Sequence, residues 1–157
     1  MIKIFDKRVK FVSMLMRLFL SKRNIFSVAG LLFLLMQFVP VFKRTNPLLV
    51  GEPPWDSDRT RELARRACFD CHSNETRWPW YAHVAPIGWF LVSDVEEARG
   101  TFNLSDWHPG DISGQKAANR ISSGEMPLPR YLMFHPVARL NETEKEQLIR
   151  GVLVSFK

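Results

Sequence analysis

Cys68 and Cys71 stand three residues apart, and His72 follows at once in the run Cys68-Phe69-Asp70-Cys71-His72. Residues three apart share one face of a helical turn, so both thiols can reach one edge of a common planar group. The imidazole beside them can then ligate a metal at that group's centre. This is the attachment chemistry of a c-type haem: the thiols add across two vinyl groups as thioethers, and His72 is the proximal iron ligand. Three other chemistries compete for the same residues. A thioredoxin-like redox pair needs a β-α-β context, and none is visible. A zinc site needs a second ligand pair, and the chain has only two cysteines. A disulfide between residues so close would stabilise little. Covalent haem c is the reading these residues favour.

The elements that must position the motif follow from periodicity and capping. Ser57 or Asp58 can cap a helix, whose apolar stripe is Leu63, Ala64, Ala67, Cys68 and Cys71. The opposite face carries Arg59, Arg61, Glu62, Arg65 and Arg66. The motif thus ends an amphipathic helix, the expected opening of a cytochrome c fold. After an aromatic, irregular stretch, Pro86 can start a second helix running to about Gly100. A shorter helix is expected from about Ile112 to Ser123, stopped by Gly124. Met126-Pro127-Leu128-Pro129 reads as an extended loop. Asn141 caps the last helix, Glu144 completes a capping box, and Leu148, Ile149, Val152, Leu153 and Phe156 form its stripe. No strand pattern of useful length and no repeat is present. The expected class is all-α: a small cytochrome c-like helical domain around a covalent haem, preceded by a single transmembrane helix.

Charge sorts the rest of the chain. Residues 25–42 form an apolar run of 18 residues without a charge, about 27 Å long as a helix and near the thickness of a bilayer core. Residues 1–24 hold seven Lys or Arg and one Asp, which already accounts for the net charge of +6. Residues 43–157 are balanced, so the basic excess is a membrane-topology signal rather than a nucleic-acid footprint. It places the N-terminus in the cytoplasm and the rest across the membrane. A cleaved signal peptide fits less well, because no small-x-small site follows the apolar run. A buried core helix fits poorly with so charged a leader. Residues 11–20, apolar apart from Arg17, are expected along the cytoplasmic membrane face. The chain divides into a basic cytoplasmic leader (1–24), a transmembrane anchor (25–42), a Pro-rich linker (43–57) and a haem-binding domain (58–157). In bacteria c-type haem is attached outside the cytoplasm, so the expected location is the bacterial inner membrane with the haem domain periplasmic.

The run from Cys68 to Trp107 resembles the bacterial haem-binding domain family of small membrane-anchored c-type cytochromes. The resemblance is carried by Cys68, Cys71, His72 and Ser73, then Thr76, Trp78, Pro79, Trp80 and Tyr81. Ala85, Pro86, Trp89, Asp94, Val95, Asn103, Ser105 and Trp107 extend it, followed by Gly124-Glu125-Met126-Pro127 and His135-Pro136. It covers about residues 46–157. The order Phe102-Asn103-Leu104 departs from the family's usual Leu…Phe, and His108 is not associated with a ligand. The resemblance implies a haem and a membrane location more firmly than a pathway.

The iron's second ligand is open. Met126 is the first choice, in a loop before the last helix, similar to where cytochromes c place a methionine; a thioether raises the reduction potential. It could also merely pack beside the haem. His83, His108, His135 and Met133 compete. Trp78, Trp80, Tyr81 and Trp89 are expected to line the haem, which overlaps with ordinary core packing. Arg77 could pair with a propionate or stay a solvated charge. A His/Met-ligated iron makes a single-electron carrier with redox protein partners. A five-coordinate iron makes a sensor or a peroxidase-like enzyme. Cysteines without haem would leave an anchored interaction module. No catalytic constellation is visible.

Overall fold

A computed structural model describes residues 22–39 and 43–157. The described residues form α1 (Lys22–Met36), α2 (Asp58–Ala67), α3 (Phe69–His72), α4 (Ile87–Thr101), α5 (Gly114–Ser122), α6 (Pro129–Phe134) and α7 (Glu142–Ser155). Tight 3-10 turns at Trp80–His83 and Pro136–Ala138 complete the set. Among them the only β pairing is one parallel bridge, Gly51 with Asp106.

Local chemistry sets the helix ends. Ser57 caps α2 by accepting from the Thr60 N–H, and the Asn141–Glu144 capping box opens α7 with both of its bonds made. Ser113 caps α5, and Gly124 follows its end at φ 75°, a left-handed conformation that favours glycine. Pro129 stands in the first turn of α6, a helix that the proline-rich loop was not expected to contain. Proline fits there because its missing N–H would have had no helical partner anyway.

The core lies where α2, α5 and α7 meet. Leu63, Phe69, Leu104, Ile121, Leu148 and Val152 are its buried side chains, with Trp55 and Trp107 packed against it. The Phe156 ring joins Trp107 at 4.6 Å and Trp55 at 5.8 Å. Of the stripe expected on α7, Leu148 and Val152 are buried, whereas Leu153 is exposed.

The segment 43–57, expected as an extended linker, is extended and strapped to the domain. Asn74 Nδ2 donates to the Leu48 carbonyl at 3.1 Å, the Val50 N–H donates to Ser105 O at 2.8 Å, and Arg61 pairs with Glu52 at 2.6 Å. Within the described residues of the apolar run the helix ends at Met36. There Gln37 Nε2 donates to Phe33 O, and the Gln37 and Phe38 amides tighten to i−3 carbonyls. No helix among the described residues is long and apolar enough to cross a membrane; α1 rises about 22 Å. The expected leader up to residue 21, the interfacial stretch 11–20 and Pro40–Phe42 lie outside the described residues.

Candidate functional site

The motif forms where α2 ends. The Cys68 N–H donates to Ala64 O at 2.7 Å, and the Cys68 carbonyl accepts from the amides of Cys71 at 3.2 Å and His72 at 2.8 Å. This closes a single turn, α3, with Phe69 buried in the core as its inward anchor. Both cysteines are free thiols on partly buried residues. Burial pushes the Cys68 thiol up to about 12 and the Cys71 thiol up to about 11, the latter with help from Asp70 and Asp94. Burial of this kind disfavours the thiolate form that a redox dithiol uses. Among the described residues no group of three or more His, Cys, Asp or Glu could hold a bare metal ion.

His72 is buried and held by its Nδ1 atom, 3.0 Å from Ala98 O and 3.4 Å from Phe102 O. Its ring stacks on Phe102 with centroids 4.0 Å apart and planes 9° from parallel. A carbonyl can only accept, so Nδ1 carries the proton and the lone pair sits on Nε2. Burial lowers the His72 pKa against its two carbonyl partners, which favours the neutral ligand form.

The sequence pieces around the motif are stitched together by polar bonds. The Leu104 N–H donates to His72 O at 2.7 Å, the Asn74 N–H to Ser105 Oγ at 3.0 Å, and Asn103 Nδ2 to Asn74 Oδ1 at 2.8 Å. Ser73 Oγ donates to Phe69 O at 2.8 Å. Arg99 reaches back from α4: Nε donates to Ser73 O and one Nη to Thr76 Oγ1, both at 2.8 Å. Asp70 is a second hub. Its carboxylate accepts from Tyr131 Oη at 2.7 Å and from the Arg77 N–H at 3.2 Å. Burial and this carboxylate push the Tyr131 pKa upward, so the phenol stays protonated. Arg130 of α6 also pairs with Asp94 of α4 at 2.9 Å.

The remaining expected residues divide. Met126 is half-buried in the α5–α6 loop, its N–H donating to Arg120 O at 3.0 Å. That loop leads into Tyr131 and so to Asp70, but no bond joins Met126 to His72. His135 stacks on Tyr131 at 4.1 Å and shares its Nδ1 with Tyr131 O at 3.0 Å, the same arrangement that frees Nε2 on His72. His83 and Met133 are exposed, and His108 is exposed beside Asp111. Trp80 is 79% exposed and joins Tyr81 and Phe134 in a chain of rings at 5.8 Å spacing. Trp89 is half-buried on α4. The Trp78 indole N–H is buried without a hydrogen-bond partner.

The residues present fit a haem. Two free thiols share one turn, and the His72 imidazole offers Nε2. The indole N–H groups of Trp78 and Trp107 are buried without a hydrogen-bond partner, and such orphaned donors are uncommon in folded proteins. Asp70, Ala98, Arg99 and Tyr131 do not stand out in the sequence, and Phe102 stands out only as a departure from the family's residue order. Ala98 acts through a backbone carbonyl, which leaves no residue-type signal, and Asp70 occupies a variable place inside the motif. A family model described as a haem-binding domain matches residues 31–153. No curated protein and no solved structure matches the chain.

Proposed function

The chain belongs to the haem-binding domain family, and on that premise we propose that it is a membrane-anchored c-type cytochrome carrying single electrons in the bacterial periplasm. The observation that carries this reading is the α3 turn, which puts two free thiols beside an imidazole whose Nδ1 is tied to the Ala98 carbonyl.

Cys68 and Cys71 would hold the haem as thioethers. His72 Nε2 would ligate the iron, and the Ala98 carbonyl and Phe102 ring keep the imidazole in one tautomer and one orientation. Met126 is the proposed second ligand, with Trp78 and Tyr81 packing about the group; Trp80 is 79% exposed and Trp89 lines a pocket against the end of α1, so neither is assigned to the haem. When bound, the haem supplies a one-electron Fe(III)/Fe(II) couple. His135 is the alternative second ligand, favoured by its own Nδ1 bond to Tyr131 O. The exposed Trp80–Tyr81–Phe134 edge offers a surface for redox protein partners.

The anchor is proposed from the 18 uncharged residues 25–42 and from the outward-facing apolar side chains of α1, among them Phe26, Leu31, Leu32 and Leu34. The basic leader is proposed on the cytoplasmic side.

A haem stain of the full-length protein on a denaturing gel tests the reading, after expression with the cytochrome c maturation machinery. Non-covalent haem is lost there, so we expect a stained band that disappears in the Cys68→Ala/Cys71→Ala variant. An unstained band, from cells that mature a control cytochrome, would sink the covalent haem. A high-spin iron that binds CO rapidly would sink the carrier in favour of a five-coordinate sensor or enzyme.

A further inference from the structure

Beyond the haem site, we infer that the pocket where α1 meets the haem domain binds the phosphate headgroup of an anionic lipid. This inference rests on the membrane anchor proposed above. The pocket has a volume of about 490 Å³, within the usual size range of ligand sites. Its walls come from the end of α1, from the chain at Lys43–Thr45, and from the Trp80–His83 turn with the start of α4.

The walls are fixed by specific bonds. The Gln37 side-chain amide accepts from the Ala85 N–H at 2.9 Å and donates to the Ala85 carbonyl at 3.3 Å. Gly88 packs so closely on the Ala82 carbonyl that a Cβ would lie 2.2 Å from its oxygen. Arg44 Nη1 donates to that same carbonyl at 3.0 Å. One N–H of the guanidinium is thereby used to hold it at the wall, and the rest of the fork remains to meet an anion.

Charge and position select the ligand. Lys43, Arg44 and His83 line the pocket, and no carboxylate is among its described lining residues. The pocket lies just past the end of α1, between the last described residues of the apolar run and Lys43–Thr45 directly after it, on the side where the proposed anchor would leave the bilayer. Beside it, Trp80, Ile87 and Phe90 stand 79%, 56% and 70% exposed on the elements that form its wall. Apolar and tryptophan side chains around a cationic pocket match the boundary between acyl chains and headgroups. A soluble phosphate would account for the cations but not for these exposed apolar residues. A lipid bound here would fix the orientation of the haem domain on the membrane surface.

The test uses full-length holoprotein in detergent micelles, read by native mass spectrometry. It is titrated with phosphatidylglycerol, phosphatidylcholine or inorganic phosphate. We expect one retained phosphatidylglycerol per chain, bound on the order of tenfold more tightly than phosphatidylcholine, with about fivefold lost in Lys43→Gln. Haem staining and helix content serve as the folding control for that variant. Equal retention of the two lipids overturns the proposal, and so does a preference that survives Lys43→Gln. Inorganic phosphate that competes as well as the lipid makes this a soluble-anion site and also overturns it. Carbonate extraction of membranes separates the two levels. A chain washed off by carbonate removes the anchor and the lipid site together, whereas an anchored chain without a lipid preference removes the site alone.

Discussion

His72 and His135 are built alike: each ring leans on an aromatic neighbour and ties its Nδ1 to a backbone carbonyl. This leaves Nε2 available on both, while Met126 offers a thioether from a loop held by the Arg120 carbonyl. The spin state of the iron decides between Met126 and His135. With Met126 as the ligand, Met126→Ala should convert a low-spin ferric spectrum to a high-spin one and lower the reduction potential, because a thioether favours Fe(II). His135→Ala should leave both unchanged. Electron paramagnetic resonance and a redox titration read the two effects, and the opposite pattern assigns the site to His135. The thiols, His72 and both candidates were legible in the sequence because chemistry of this kind depends on residue type and spacing. The groups that aim His72 were not. The Ala98 carbonyl is backbone, and the Phe102 ring meets His72 through tertiary folding over 30 residues of chain.

Helix starts were legible for a similar reason: Ser57 and Asn141 are side chains that satisfy orphan amides in their own first turn. Helix α6 was hidden by Pro129, which reads as a breaker unless its place in the first turn is known. How closely the helices approach was also hidden. A Cβ on Gly114 of α5 would lie 2.5 Å from Val152 O and 2.9 Å from Leu153 Cα of α7. Both are backbone atoms and cannot swing aside. Gly114→Ala should therefore cost about 1–3 kcal/mol. Gly100→Ala, on α4 with nothing within 4 Å, should stabilise by up to about 1 kcal/mol. Urea denaturation of the two variants checks the opposite signs. The strap over residues 43–57 has its own signature. Glu52 has its pKa lowered by its hydrogen bond with Arg61, against some burial, with Trp55 adding a second bond. A depressed folded pKa gives stability that is present above the unfolded glutamate value and is lost as pH falls through the lower folded value. The pair is partly exposed, so the gain should be under about 1 kcal/mol. Glu52→Gln should flatten that part of the acid limb in thermal melts recorded across pH, and an unchanged slope would remove the strap's electrostatic role.

At the scale of the whole chain, the cationic excess and the haem motif lie on opposite sides of one apolar segment. Residues 1–24 carry the full +6, whereas only Lys43 and Arg44 follow residues 25–42 closely. Cations near a span are retained on the cytoplasmic side, so this imbalance should orient the segment with the leader inside. For the c-type haem proposed above, which bacteria attach outside the cytoplasm, orientation and cofactor would then be coupled. A C-terminal alkaline phosphatase fusion, active only after export, should be active on the full chain, and the same fusion should stain for haem. Replacing Lys3, Lys7, Arg8, Lys10, Arg17, Lys22 and Arg23 with glutamine leaves Lys43 and Arg44 as the stronger retention signal. Phosphatase activity and haem stain should then fall together, although Cys68, Cys71 and His72 are untouched. A fusion that keeps its haem while losing phosphatase activity would separate the cofactor from the topology, and the periplasmic assignment would fall with it.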